Sequence, residues 1–228
     1  MMRSIRTLFV VSVASLAVVS FAAVAGAQEG APPSGPMPAA PPPGAAQPPT
    51  RSEGGARTHD GFYMRLGAGY GYMTDTNTVG SLEGKIKGAG SAWLLTLGGT
   101  PIPGLVIGGT LFTHIQPKPT VEAGGQSKSI DETLFLLGIG PTVDFYPDPK
   151  AGLHFGGGFL YSTFNAINYT STGYGVHVEG GYDFFFSDSW SIGPLLQLAY
   201  SNTSKDQGGI TSKDSATSIS AMITIVDH

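Results

Sequence analysis

From Gly61 onward, large apolar residues alternate with small or polar residues in about eight segments of roughly ten residues each, the length of a membrane-crossing strand. In the first segment, 62–72, every second residue from Phe62 is apolar, whereas the residues between them are Tyr63, Arg65 and glycines. Successive side chains of a β-strand point to opposite faces, so this period of two predicts strands and not helices. The glycines on one face argue against a strand that packs on the core of a soluble protein, because glycine is rare where a strand faces a densely packed core.

Seven further segments repeat this alternation. They lie around 92–98, 105–115, 135–145, 153–162, 174–186, 190–200 and 218–225. Small residues on one face suit the lumen of a narrow barrel, and large apolar residues on the other face suit lipid. The sequence therefore predicts an all-β fold, an eight-stranded antiparallel up-and-down transmembrane β-barrel.

The connections between the segments alternate in length. Short turns at 100–104, 147–152 and 187–189 alternate with longer stretches near 74–88, 116–131, 165–173 and 202–215 that are rich in Thr, Ser, Asn and Gly. Outer-membrane barrels have short periplasmic turns and longer extracellular loops. An even number of strands then places both ends of the barrel domain on the periplasmic side.

Aromatic residues on the predicted lipid face form two groups. At the periplasmic strand ends are Phe62, Phe145, Phe155, Phe184, Phe186 and Trp190. Towards the extracellular side are Tyr70, Tyr72, Trp93, Tyr161, Tyr174 and Tyr200. Aromatic girdles at both interfaces are expected of a membrane barrel.

Two runs, GFYMRLGAGYGY at 61–72 and GGYDFF at 180–185, together with the hairpin pattern, resemble the small eight-stranded outer-membrane barrels of the OmpA, OmpX and OmpW type. The resemblance covers residues 61–228 and concerns architecture, not one activity. It implies location in the bacterial outer membrane, contact with outer-membrane lipid and lipopolysaccharide, and insertion by the outer-membrane assembly machinery. Such barrels usually end in an aromatic residue, whereas this sequence ends in Ile225-Val226-Asp227-His228.

Residues 1–27 read as a secretory signal peptide. Arg3 and Arg6 precede an apolar stretch that ends in Ala25-Gly26-Ala27, which is a small-residue cleavage site. The alternative is an uncleaved membrane anchor, since about 18 apolar residues can just span a bilayer.

Residues 28–60 read as a disordered periplasmic linker. Nine prolines at 31–50 exclude helix and sheet and favour an extended conformation. The linker is either a plain leader or a spacer that contacts peptidoglycan.

Composition excludes several classes of function. The 12 basic and 16 acidic residues give a net charge of −4, which argues against nucleic-acid binding. The absence of cysteine excludes disulfides, thiolate metal sites and a cysteine nucleophile. No known metal-binding or cofactor motif is present, so the sequence predicts neither a metal nor a cofactor.

Six polar side chains are predicted to face the narrow lumen: Arg65, Asp144, His154, His177, Glu179 and Asp183. Buried charges must pair with one another or with water, so we expect a polar network that closes the barrel. One alternative is a narrow path for ions. Another is a hydrolytic or acyl-transfer site, in which Ser162 is the only plausible nucleophile beside His177 and Glu179.

Six lysines fall in the predicted extracellular loops and are candidates for contact with lipopolysaccharide phosphates: Lys85, Lys87, Lys118, Lys128, Lys205 and Lys213. Solvated surface lysines are the simpler explanation. The function that we predict is that of a non-enzymatic outer-membrane barrel with a structural or surface-interaction role, such as membrane integrity, adhesion or envelope contact. The alternatives are a narrow channel for small ions or hydrophobic solutes, a lipid-A-modifying enzyme and a soluble ligand-binding barrel of the periplasm.

Overall fold

Eleven β-strands are present in the computed structural model, which describes residues 59, 61–80, 82–166, 169–207 and 209–228. The strands are β1 Gly61–Val79, β2 Leu82–Ile102, β3 Leu105–Pro117, β4 Thr120–Ala123, β5 Gln126–Ser129, β6 Thr133–Phe145, β7 Leu153–Ala166, β8 Tyr169–Tyr182, β9 Phe184–Phe185, β10 Trp190–Gln207 and β11 Ile210–Asp227. Within these residues, no helix is long and apolar enough to cross a membrane. The predicted signal peptide, and the predicted linker apart from His59, lie outside the described residues.

Eight long strands close into an antiparallel barrel: β1, β2, β3, β6, β7, β8, β10 and β11. Each pairs with the next long strand along the chain, and β1 pairs with both β2 and β11, which removes the sheet edge. Leu66, for example, lies opposite Leu95 on one side and Ile225 on the other. The predicted eight-stranded up-and-down barrel is therefore confirmed. The short strands β4 and β5 form a hairpin beside β2, and β9 pairs with β10.

The two faces of the barrel follow the alternation seen in the sequence. Apolar side chains cover the outside, where Phe159 is 71% exposed and Ile139 is 54% exposed. Eleven of the twelve predicted girdle aromatics are exposed, and Trp190 is half-buried. An apolar surface that surrounds the whole sheet is stable only against lipid, where the closed barrel satisfies every backbone hydrogen bond.

The interior has two main layers. A charged layer around Arg65 lies at the end of the barrel that carries the β2–β3, β6–β7 and β8–β10 connections. A layer of apolar side chains follows further along the strands, with Met73 eight residues beyond Arg65 on β1. Its other members include Leu94, Phe112, Leu134, Leu136, Leu160, Phe164 and Leu195, all at most 4% exposed.

The long connections are shorter than predicted, because most of their residues continue the strands. β1 runs to Val79 and β2 begins at Leu82, and β10 and β11 are separated only by residues 208–209. Gly80 and Gly209 have positive φ angles of 61° and 82° in these turns, a conformation that glycine adopts without strain. The prediction of loops near 74–88 and 202–215 is thus wrong. Segments rich in Thr and Ser readily form paired strands when they extend a ladder whose register is already set.

These extensions form what we call the hairpin wall, residues 73–79, 82–88, 201–207 and 210–218. β1 pairs with β11 as far as Val79 opposite Ser212, so the two hairpins are joined along their length. Because outer-membrane barrels extend furthest on the outside of the cell, we call this the extracellular end and the opposite end the periplasmic end.

Candidate functional site

Arg65 stands at the centre of the charged layer. Its Nη1 atom donates hydrogen bonds to Glu179 Oε1 at 2.7 Å and to Asp144 Oδ2 at 3.3 Å. The Arg65 and Asp144 side chains are 0% exposed and that of Glu179 is 1% exposed. Gly156 lies between the two acids in the sheet, where a side chain would collide with the Asp144 carboxylate. Glycine at this position therefore makes room for the ion pairs.

His154 also contacts Arg65 in this cluster. Its Nδ1 atom lies 3.1 Å from Arg65 Nη2. A guanidinium group can only donate, so Nδ1 accepts this hydrogen bond. The second ring nitrogen, Nε2, lies 3.8 Å from Asp183 Oδ2, which also accepts a 2.8 Å hydrogen bond from the Tyr146 hydroxyl. Asp183 is thereby connected to the Arg65 cluster.

His177 joins the same cluster through Glu179 and Gln197. Its Nδ1 atom lies 3.6 Å from Glu179 Oε2, and that oxygen accepts a 3.1 Å hydrogen bond from Gln197 Nε2. The structure thus places all six of the predicted lumen residues in one buried network.

The arrangement does not assemble a serine nucleophile. Ser162 Oγ forms a 2.8 Å hydrogen bond with Ser201 Oγ, and within the described part of the chain no hydrogen bond joins Ser162 to His177. Nucleophilic catalysis requires the serine and its base within hydrogen-bonding reach, about 2.6–3.2 Å. This geometry therefore does not activate Ser162 as a nucleophile through His177.

Several participants were missed by the sequence analysis. Tyr146 falls between the predicted segment at 135–145 and the predicted turn at 147–152, and it continues the inward parity of Asp144, so extending the alternation by one position would have found it. Gln197 lies on the inward face of the segment at 190–200 but is not among the six predicted lumen residues. His59 and His228 lie outside the strands, so no periodic signal marks them.

His59 and His228 lie at the periplasmic end of the barrel, which we call the periplasmic mouth. The His59 ring stacks on the ring of Tyr146, with centroids 3.5 Å apart. Burial lowers the pKa of His59 to about 4 and the pKa of His228 to about 3. Both rings are therefore neutral at pH 7.

A cavity of about 530 Å³ opens at the extracellular end, above the apolar layer. Its lining includes Val79, Phe164 and Ala166 on the apolar side, with Tyr169 and Asp214 as polar groups. Asp214 accepts hydrogen bonds from the Tyr169 hydroxyl at 2.6 Å and from Ser171 at 2.7 Å. The cavity thus has an apolar floor and a polar side, which also includes Asn77, Lys205 and Ser212.

Four of the candidate lysines lie on long strands: Lys85 and Lys87 on β2, Lys205 on β10 and Lys213 on β11, so their assignment to loops is wrong. These four strand positions belong to the hairpin wall, where the strands continue beyond the predicted start of the loops. Lys118 and Lys128 lie in the connection between β3 and β6, as predicted, with Lys128 on the short strand β5.

Two of these lysines form ion pairs, and a third contacts an aromatic ring. Lys87 pairs with Glu122 at 2.6 Å and Lys118 with Asp131 at 3.4 Å. Lys205 lies 5.2 Å from the centre of the Tyr169 ring. Among the described residues, Lys85, Lys128 and Lys213 form no salt bridge.

Known proteins are similar to this chain mainly in fold. The family model of the autotransporter β-domain matches residues 148–221, which is less than half of the chain. No curated protein matches the sequence. The crystal structure of the outer membrane protein OprG from Pseudomonas aeruginosa is 12% identical, with a TM-score of 0.51, and the alignment covers 76% of this chain and 99% of OprG.

Two further solved structures align with lower scores. Neisserial surface protein A is 14% identical, with a TM-score of 0.43 and coverage of 72% of this chain and 95% of that protein. AlkL, solved by solid-state NMR in DMPC bilayers, is 9% identical, with a TM-score of 0.46 and coverage of 83% and 96%. The closed antiparallel barrel, its apolar exterior and its similarity to OprG together show that this chain has the fold of a small eight-stranded membrane β-barrel.

Proposed function

We propose that this protein is a non-enzymatic anchor in the outer membrane whose closed barrel holds the hairpin wall at the cell surface for interaction. One observation carries the proposal. Arg65 extends from β1 to Asp144 on β6 and Glu179 on β8, the two strands that flank the far side of the barrel. A single side chain and its partners therefore cross the lumen.

The apolar layer supports the same proposal. Its members come from all around the barrel and are at most 4% exposed. An ion that passed between these side chains would lose most of its hydration shell to largely apolar surroundings, which is costly. The lumen thus has two barriers in series, one of paired charges and one built mainly of apolar side chains.

The hairpin wall is the surface that we propose for interaction. Lys85 and Lys213 stand on it without acidic partners among the described residues, and such groups suit contact with lipopolysaccharide phosphates. Contact of the linker with peptidoglycan and recognition by the assembly machinery remain predictions from the sequence.

Conductance of the refolded protein in planar bilayers tests the closed lumen. We expect no steady openings from the wild type, because both barriers remain in place. Leu94→Ala, which opens only the apolar layer, should also stay closed as long as the Arg65 network is intact. Steady wild-type openings that disappear in Glu179→Ala would overturn the proposal in favour of an ion path.

The extracellular cavity favours a second candidate function, binding of a small amphipathic solute. Phe164 belongs to the apolar layer and also lines the cavity, while Ile86, Ala166 and Tyr169 pack against that layer. A solute bound there would rest on hydrocarbon with its polar group towards Asp214. This arrangement matches the usual pattern of an apolar site with few polar groups.

A fluorescent naphthylamine probe tests this second candidate. Ala166→Trp fills the cavity and should weaken binding of the probe by at least about tenfold. Ala123→Trp, on the exposed hairpin of β4, is the matched control and should bind the probe like the wild type. Equal binding by both variants would locate the probe elsewhere, for instance on the lipid-facing surface.

A further inference from the structure

Three side chains from distant parts of the chain meet at the periplasmic mouth. His59 precedes β1, Asp183 lies between β8 and β9, and His228 follows β11. One nitrogen of each histidine and one carboxylate oxygen all lie within 4.8 Å of one another. The two Nδ1 atoms are 2.9 Å apart. The closed-lumen function proposed above uses neither histidine.

The other nitrogen of each ring already has a partner. His59 Nε2 lies 3.2 Å from the Ala151 carbonyl oxygen, which can only accept, so Nε2 carries the proton and Nδ1 has a bare lone pair. His228 Nε2 lies 2.8 Å from Ser191 Oγ. Histidines that bind metals typically donate their second N–H to a carbonyl, carboxylate or water. His59 is therefore oriented as such a ligand before any ion is bound.

The buried carboxylate of Asp183 is a second, independent observation that points to a bound cation. Its side chain is 2% exposed, and Oδ2 accepts the Tyr146 hydrogen bond. Its second oxygen, Oδ1, is buried and has no hydrogen-bond partner among the described residues. A buried carboxylate oxygen without a partner is costly, and a cation bound to it would remove that cost.

We propose that His59, Asp183 and His228 form a binding site for a divalent transition-metal ion, with Zn²⁺ as the best match. Two imidazole nitrogens and one carboxylate oxygen are ligands that zinc prefers, whereas Ca²⁺ and Mg²⁺ prefer oxygen alone. The fourth position of a tetrahedral site is left for water. The Tyr146 hydroxyl donates to Oδ2 and so fixes the orientation of the carboxylate, as hydrogen-bond partners of metal ligands commonly do.

Binding requires one proton to move. Without metal, the bare Nδ1 of His59 accepts from Nδ1–H of His228, whose Nε2 then accepts from the Ser191 hydroxyl. With metal, both Nδ1 atoms are ligands, so the His228 proton moves to Nε2 and is donated to Ser191 Oγ. The neutral imidazole changes tautomer, the Ser191 hydroxyl rotates, and the total number of protons is unchanged. Such an ion links the segment before β1 and the segment after β11 to the β8–β9 connection.

Metal titration of the refolded full-length mature barrel tests the site. The protein carries a histidine-free tag ahead of the linker, is stripped with a chelator, and is titrated with Co²⁺ and Zn²⁺. We expect one equivalent of Co²⁺ to give the intense visible absorption of a tetrahedral ion, and Zn²⁺ to displace it. His59→Ala and His228→Ala should each weaken binding by at least about 100-fold, since they remove ligands and not merely the hydrogen-bond partner of a ligand.

Two milder variants keep the test decisive if alanine disturbs folding. Asp183→Asn retains the shape and the Tyr146 contact but loses the anionic ligand. Ser191→Ala should weaken binding by about 10–100-fold, because it removes the hydrogen-bond partner of His228 Nε2. His114→Ala, which removes a buried lumen histidine far from the mouth, is the control and should bind like the wild type. Heat-modifiable migration on gels verifies folding of each variant. Absence of the tetrahedral spectrum, or equal affinity of Asp183→Asn and wild type, would overturn the proposal.

Discussion

Replacing Arg65 with leucine should lower the free energy of unfolding by roughly 3–5 kcal/mol, because Asp144 and Glu179 would then be buried without their counter-charge. Both carboxylates accept hydrogen bonds from Arg65 Nη1, and all three side chains are at most 1% exposed. Urea unfolding of the refolded barrel in detergent micelles measures the change. The loss should appear as a lower transition midpoint.

A triple variant provides the control for this prediction. Arg65→Leu combined with Asp144→Asn and Glu179→Gln removes all three charges and keeps the side-chain volumes similar. It should regain most of the lost stability, because uncharged groups cost far less to bury than an unpaired carboxylate. A triple variant as unstable as Arg65→Leu alone would show that the arginine acts through packing and not through charge.

Introducing arginine on the lipid-facing surface should also lower the free energy of unfolding substantially. Ile139 lies at the middle of β6 and is 54% exposed. Ile139→Arg should reduce the free energy of unfolding by about 2–4 kcal/mol in lipid, since a cation at the bilayer midplane loses its hydration. The measurement is unfolding in phospholipid vesicles, where the bilayer has its full thickness.

Leu82 provides the matched position outside the bilayer. It begins β2 at the outer end of the hairpin wall and is 76% exposed. Leu82→Arg should change stability by no more than about 0.5 kcal/mol, as expected for an exposed surface site. A soluble barrel would tolerate both substitutions equally, so equal effects at the two positions would contradict the placement of Ile139 in the bilayer and Leu82 outside it.

Much of the fold follows from the period of two in the sequence. In β1 the alternation from Phe62 to Tyr72 already separates lipid-facing from lumen-facing residues, because a strand has no other way to place successive side chains. Gly156 shows the same rule on the lumen side, where small residues leave space for Asp144 and Glu179. Face assignment is a local property of the backbone, so it can be predicted without partners.

Only the tertiary structure decided which inward-facing side chains contact one another and how far along the barrel axis each of them lies. Arg65 and Glu179 are 114 positions apart, and His59 and His228 are 169 apart. Whether such residues meet depends on the register of every ladder between them and on how the sheet closes, which no single strand encodes. The sequence by itself determined which residues face inward. The accumulated stagger of eight paired strands decided which of those residues touch, where the strands end beyond the membrane, and that two histidines outside the strands meet at the periplasmic mouth.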